Sequence, residues 1–378
     1  MNIHLPKAAP LFKWPRVRLG DIAEHRLGKM LDKEKNTGVP RRYLRNPNIR
    51  WFDFDLSDLQ EILVEEKDVH KYEIRDGDVL ICEGGEAGRA AHWKGDSDGI
   101  IFQKACHRVR VGPRLDANYL IHRLFYDYHN GGLEDYHTGA TIKHFTGQDL
   151  ARYEFPLPPL DEQRQIAAIL DKADALRRKC RHAIELLESL TQSILLEMFG
   201  DPNTNPLNLA RIPLGDLIRV RSGNGLVAKD MAPDGRYPVY GGNGVNGYHD
   251  RFMFEEPKIV LGRVGVYCGA VHITDPTSWV TDNALYVSEI KRPMSLLYLA
   301  AALRQANFNQ YAGRSAQPLI SGGRIYPVEI AVPDLDDQQS FEKAVKEVHR
   351  ICGPQSKANQ YLEALFSSLQ SCAFLGQL

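Results

Sequence analysis

The chain has 378 residues, 43% of them hydrophobic and 25% charged, an ordinary soluble composition with room for two domains and two cores. No run approaches about 18 apolar residues, and the opening MNIHLPKAAPLFKWP lacks a continuous apolar core, which argues against a membrane span or a secretory signal and makes the cytoplasm the expected compartment. A net charge of −1 gives no bulk attraction to a polyanion, so nucleic-acid contact would have to come from local patches.

The first structured stretch already has a copy. Arg16-Val17-Arg18-Leu19-Gly20-Asp21-Ile22 matches Arg211-Ile212-Pro213-Leu214-Gly215-Asp216-Leu217, and the order domain, helix, domain, helix follows. Next comes a basic and aromatic run, Arg41, Arg42, Tyr43, Arg45, Asn46, Asn48, Arg50 and Trp51. Arginine can grip phosphate or guanine and asparagine can pair with adenine, so these are candidate DNA contacts, against the alternative of an ordinary solvated loop. A short apolar strand with following glycines, Val79-Leu80-Ile81-Cys82 with Gly85 and Gly88, is set against Ile259-Val260-Leu261 with Gly262 and Gly265. Ile22 to Gly85 spans 63 residues (85 − 22) and Leu217 to Gly262 spans 45 (262 − 217), so the two units differ most in that window.

Gln103-Lys104-Ala105-Cys106-His107 then faces Thr281-Asp282-Asn283-Ala284-Leu285, which nominates Lys104, His107 and Asn283. Tyr119-Leu120 matches Tyr298-Leu299 at the opening of a helical pattern. The loop carrying Thr141, Lys143 and His144 is set against that carrying Arg314, Ser315 and Gln317. In the second unit a glycine-rich loop offers Tyr240, Asn243, Asn246, Tyr248 and His249, with Arg263 in the next turn; its glycines let backbone approach a ligand closely. Cysteines 82, 106, 180, 268, 352 and 372 are scattered without a C-x-x-C and read as reduced, mostly buried thiols.

Asp161 to Phe199 carries apolar or small residues at Ile166, Ile169, Ala173, Leu176, Cys180, Ala183, Leu187, Leu190 and Ile194. This three-four alternation predicts a helical seam on a rod of roughly 58 Å. Phe341, Ala344, Val348, Ile351, Gln355, Ala358, Leu362, Leu365 and Leu369 repeat it. The entries are copied as well, Pro158-Pro159-Leu160-Asp161-Glu162-Gln163 and Pro333-Asp334-Leu335-Asp336-Asp337-Gln338, with Asp expected as the helix cap. Gly200–Pro206 reads as a linker, and Gly353-Pro354 predicts a kink or short break in the second helix. The expected division is 1–160 and 207–335 for the domains, 161–199 and 336–378 for the helices, and 200–206 for the linker.

Catalytic signatures are missing. There is no phosphate loop of the G-x-x-x-x-G-K-[ST] type. Asn46-Pro47-Asn48 lacks the second proline and aromatic of an amino-methyltransferase motif, and Pro333-Asp334 lacks the acidic-x-Lys of a nuclease. Glu83–Gly88 has no βαβ unit around it and reads as a hairpin turn.

The duplicated lead-ins, the ending Met198-Phe199-Gly200-Asp201-Pro202, Tyr240-Gly241-Gly242-Asn243-Gly244 and Asp76-Gly77-Asp78-Val79-Leu80 together resemble the specificity subunit of type I restriction-modification systems, over essentially the whole chain. The resemblance implies an α+β fold of two similar target-recognition domains of mostly short strands, separated by two long antiparallel coiled-coil spacer helices with pseudo-twofold symmetry. It implies that each domain reads half of a bipartite double-stranded DNA target, and that two methyltransferase subunits dock on this one, with restriction subunits joining them. No metal or cofactor is expected in this chain; S-adenosylmethionine, and ATP with Mg, would belong to the partners. The alternatives are a specificity subunit of a type II methyltransferase-nuclease, a solitary methyltransferase or nuclease, and a coiled-coil scaffold that ignores DNA.

Overall fold

The structure is a computed structural model that describes residues 14–32, 36–139, 143–202, 204–232, 234–311 and 319–377. The predicted contacts Thr141, Arg314, Ser315 and Gln317 lie outside the described residues. The chain forms two compact units, one running through Cys180 and resuming at Ala358, the other Arg181–Lys357. The division falls inside the two long helices, Leu160–Phe199 and Leu335–Phe374, so each unit owns half of each.

Unit 1 is built on a four-stranded antiparallel sheet in the order Ala23–Leu27, Cys106–Val111, Val79–Cys82, Ala90–His92. All four residues of Val79–Cys82 are buried because the sheet is covered on both faces. Successive side chains of a strand point to opposite faces. Val79 and Ile81 join the core under the helix Ala117–His129, whereas Leu80 and Cys82 face a second core with Leu44, Ile49 and Trp93. Against this stands a three-stranded sheet in the order Gln60–Val64, Val39–Leu44, Ile101–Phe102, whose last pairing is parallel.

Unit 2 repeats the plan. Its four-stranded sheet runs Ile218–Ser222, Ala284–Ile290, Ile259–Gly262, Val271–Ile273, and its three-stranded sheet Gly244–His249, Tyr237–Gly241, Trp279–Val280, again with a parallel last pair. Ile259 and Leu261 face the core under the helix Leu296–Gln305, and Val260 faces the opposite core. Among the described residues, what unit 1 adds is a two-stranded hairpin at 49–54 and the helix Glu66–Tyr72, both inside the window where the sequences diverge in length.

The matched lead-ins fold into matched latches. Gln163 is fully buried; its Oε1 accepts from the Asp116 N–H at 2.8 Å, and its Nε2 donates to the Arg114 and Pro158 carbonyls at 2.9 and 2.8 Å. Gln338 likewise accepts from the Ser295 N–H at 3.0 Å and donates to the Pro333 carbonyl at 2.9 Å. Asp116 and Ser295 are in turn the N-caps of the two shorter helices, each accepting from a tyrosine N–H, and the hydroxyls of those tyrosines, Tyr119 and Tyr298, donate to the Pro156 and Ala331 carbonyls at 2.8 and 2.7 Å. Asp161 and Asp336 are not the caps: Leu160 and Leu335 are already helical, which puts both carboxylates in the first turn, still on the favourable end of the helix dipole.

Within unit 1 the start of the first long helix lies beside the end of the second. The Trp14 ring donates to Glu162 at 3.0 Å and lies close to Gly376, while Arg177 pairs with Glu363 at 3.0 Å. Within unit 2 the end of the first meets the start of the second, with Phe199 and Phe341 rings 5.9 Å apart. The seam departs from the expected one. Ile166, Phe341 and Val348 are buried, and Ile169, Leu187 and Leu362 half-buried, but Leu176 is 56% exposed, Leu190 43% and Leu365 50%. Leu170, Leu195, Val345 and Phe366, outside the expected seam, are buried, because the helices also pack on their units and use a broader face than a two-helix seam. Nor do Gly353 and Pro354 break the second helix. Both are exposed, and a Cβ on Gly353 would meet open space, so the ring is accommodated at a solvent-facing position. Gly200, at φ +73°, does end the first helix as expected.

Candidate functional site

Each unit gathers three turns along one edge, and the two sets are fixed by corresponding backbone hydrogen bonds. In unit 1, Gln103 N–H donates to Leu44 O at 3.1 Å, Glu83 to Ala105 at 2.9 Å, and Phe145 to Glu83 at 2.7 Å. In unit 2, Thr281 donates to Tyr240 at 2.9 Å, Arg263 to Asn283 at 3.0 Å, and Ile320 to Arg263 at 2.9 Å. The turn glycines are equivalent in a different way from that expected. Cys82 rather than Gly85 occupies the place of Gly262, and Gly88, φ +101°, corresponds to Gly269, φ +91°, since Gly88 N–H donates to Cys82 O and Gly269 N–H to Gly262 O. Glycines recur three residues apart in both turns, which allowed the other pairing. At each edge a glycine also lets a crossing backbone come close: a Cβ on Gly28 would stand 2.2 Å from the Gln103 carbonyl oxygen, and one on Gly223 2.3 Å from that of Val280.

On this shared frame the residues differ. Equivalent places hold Glu83 and Arg263, Lys104 and Asp282, Ala105 and Asn283. In unit 1, Asn46 donates to the Gly84 carbonyl at 2.8 Å and His144 packs over Gly84, while Lys104, Lys143 and His144 are exposed. Glu83 lies among them. Partial burial pushes its carboxyl up, and the nearby His144 and Lys104 pull it back. In unit 2, Asn243 and Asn283 are exposed, Gly242 lies against the Asn283 carbonyl, and Arg263 donates to the Ser222 hydroxyl at 3.1 Å. These are groups suited to phosphate and base edges: cations and an exposed imidazole on one rim, amides and one guanidinium on the other.

The other candidates are placed elsewhere. His107 is fully buried, its Nε2 at 3.0 Å from the Phe145 carbonyl oxygen, and burial pulls its pKa down to about 4, so at neutral pH it offers no cation to a phosphate. Tyr43 and Tyr240 are buried, the first donating to Gln60 at 3.2 Å and the second accepting from the Asp275 N–H at 3.0 Å. Asn48 is buried and ties its own loop, accepting from the Arg45 N–H at 2.9 Å and donating to the Asp55 carbonyl at 2.9 Å. Arg45 is bound to Asp58 at 2.6 Å, Arg50 stands 3.7 Å from Asp55, Arg41 lies over Gly99, and Arg42 is exposed. Asn246 and Tyr248 are exposed on the strand Gly244–His249, and His249 stands edge-on to Trp279 at 5.5 Å. Sequence reasoning missed Glu83, Ser222 and Asp282. Running the strand alignment of Val79 with Ile259 one turn further would have paired Glu83 with Arg263.

The type I restriction modification DNA specificity domain family matches residues 13–186 and 206–353. The type I restriction enzyme EcoprrI specificity subunit of Escherichia coli is 27% identical over 190 residues, 48% of this chain and 47% of that protein. The StySPI specificity subunit of Salmonella potsdam is 25% identical over 203 residues, 50% of this chain and 43% of that protein. The chain thus spans about half the length of the curated relatives it matches. The crystal structure of a type I restriction-modification S subunit from M. genitalium is similar in fold, with a TM-score of 0.62 at 17% identity, covering 97% of this chain and 98% of that one. Among the described residues no helix is long and apolar enough to cross a membrane.

Proposed function

The chain belongs to the type I restriction modification DNA specificity family, and from that premise we propose that it is the DNA sequence-recognition subunit of a type I restriction-modification complex. In this reading it has no catalytic site of its own. It reads a bipartite target and directs adenine methylation and cleavage by partner methyltransferase and restriction subunits, which hold S-adenosylmethionine, and ATP with Mg.

One observation carries the reading: two rims on the same hydrogen-bonded frame bear different side chains, with Glu83, Lys104 and Ala105 at one and Arg263, Asp282 and Asn283 at the other. Identical rims would read identical half-sites. Unlike rims read unlike ones, so the target is asymmetric, with an unread gap between its halves. The helices, 40 residues each and so roughly 60 Å long at 1.5 Å per residue, are of a length to separate two readers by more than one turn of DNA.

The test is reconstitution. The purified chain should transfer no methyl group and should give no heat on titration with S-adenosylmethionine. With methyltransferase subunits added, sequence-specific adenine methylation should appear. Robust methylation by the chain alone would discard the assignment, and an absence of any selected motif in the complex would favour a scaffold.

A further inference from the structure

The hairpin at 49–54 has no counterpart among the described residues of unit 2. We propose that it is a positioning strut, which fixes the reading rim of unit 1 against the helix Ala117–His129 through Trp51 and Phe52 and against the long helices through Phe52 and Asp53. The proposal rests on the recognition function above.

The connection can be followed bond by bond. At the rim, Asn46 donates to the Gly84 carbonyl at 2.8 Å, and its own oxygens accept from Arg89 at 2.9 Å and from the Cys106 thiol at 3.3 Å. Two residues on, Asn48 donates to the Asp55 carbonyl at 2.9 Å while the Asp55 N–H donates to the Asn48 carbonyl at 2.8 Å, so the rim turn and the hairpin are one hydrogen-bonded piece. At the tip both rings dock on the helix Ala117–His129, and Phe52 also reaches the second long helix. Phe52 lies 4.7 Å from His122, 5.1 Å from Phe125 and 6.4 Å from Phe366, and Trp51 meets Phe125 edge-on at 5.0 Å. Phe366 belongs to the second long helix, and Arg177 of the first stacks on it at 4.2 Å; Arg178 adds an ion pair to Asp53 at 3.3 Å. The hairpin thus meets the second long helix through Phe52 and the first through Asp53.

Phe52 itself has φ +67°, the left-handed region where side chains other than glycine's are rare. Glycine would meet the backbone requirement without strain. A large ring at such a place persists only when its contacts over-determine the conformation, so the ring contacts are what the hairpin is built to make. A loop that only bulged from the surface would have no reason to hold phenylalanine there.

The test compares Phe52→Gly, which removes the ring and suits the backbone, with Phe52→Tyr, which keeps the ring. The first readout is amide hydrogen exchange in the chain without DNA, at the hydrogen-bonded amides of Asn48, Asp55 and Glu83. Phe52→Gly should speed exchange at all three about tenfold, with Phe52→Tyr near wild type. The second is motif selection by the reconstituted methyltransferase complex, the half-site of unit 2 being the one that changes when residues 222–257 are exchanged. Phe52→Gly should cost about tenfold in discrimination at the other half only. Unchanged exchange at Glu83, or equal loss at both halves, would overturn the strut. Altered exchange with no motif selected by the wild-type complex would overturn the proposed function and leave the mechanical link standing.

Discussion

A buried amide that satisfies three backbone groups is costly to remove, because each partner left unpaired in the interior keeps its desolvation penalty. Gln163→Ala orphans the Asp116 N–H and frees two carbonyls, and is expected to destabilise unit 1 by about 3 kcal/mol in urea denaturation. Gln338→Ala, with fewer such bonds, should destabilise unit 2 less. His107 gives a pH signature. Its folded pKa of about 4 lies below the ordinary 6.5, so between these values the unfolded chain binds a proton that the folded one refuses. This contribution to stability is complete above pH 6.5 and is lost as pH falls toward 4, amounting to about 2 kcal/mol between pH 7 and 5. Urea midpoints at the two pH values should converge in His107→Gln relative to wild type; an unchanged difference would show that the loss resides elsewhere. Residue types alone could not separate His107 from His144, since both are histidines in polar loops of sequence. The strand pairing that buries one and the turn that exposes the other are tertiary facts.

At the scale of elements, the long helices were legible as helices and as a repeated pair, but the seam was legible only in part. Ile169-Leu170, Leu186-Leu187, Leu195-Leu196 and Leu365-Phe366 are adjacent apolar pairs, and either member continues a three-four alternation. Which member is buried is set by the domain packed against the helix, a surface no heptad count contains. Leu170→Ala should therefore cost about 3 kcal/mol or more, the usual toll of deleting a fully buried leucine, whereas Leu176→Ala at a 56% exposed site should change the urea midpoint little. Equal effects would restore the narrower seam. The rims were legible in the same partial way. The alignment of 103–107 with 281–285 survives into the hydrogen bonds, while half of the arginine run at 41–50 is spent on its own loop, with Arg45 and Arg50 facing Asp58 and Asp55. A run of like charges in sequence does not reveal that its counter-charges arrive a few residues later in the loop after the hairpin.

For the whole molecule, the order domain, helix, domain, helix was readable because the lead-ins and latches must be built alike wherever a unit is fastened to its helix, whereas the rims are free to diverge. That division of labour makes the spacing separable from the reading. Inserting one heptad into both long helices, at the boundaries after Cys180 and after Lys357, keeps the phase of the buried face and adds about 10 Å, or roughly three base pairs, between the readers. The latches at Gln163 and Gln338 and the rims themselves lie outside the inserted turns. In the reconstituted complex, the methylated motif should keep both half-sites and lengthen its gap by those three pairs, as mapped from the modified adenines. Insertion into one helix alone leaves the two lengths unequal and should abolish motif selection. Half-sites that change while the gap stays fixed would mean that the helices do not set the distance, and the recognition scheme would have to place its ruler in the partner subunits.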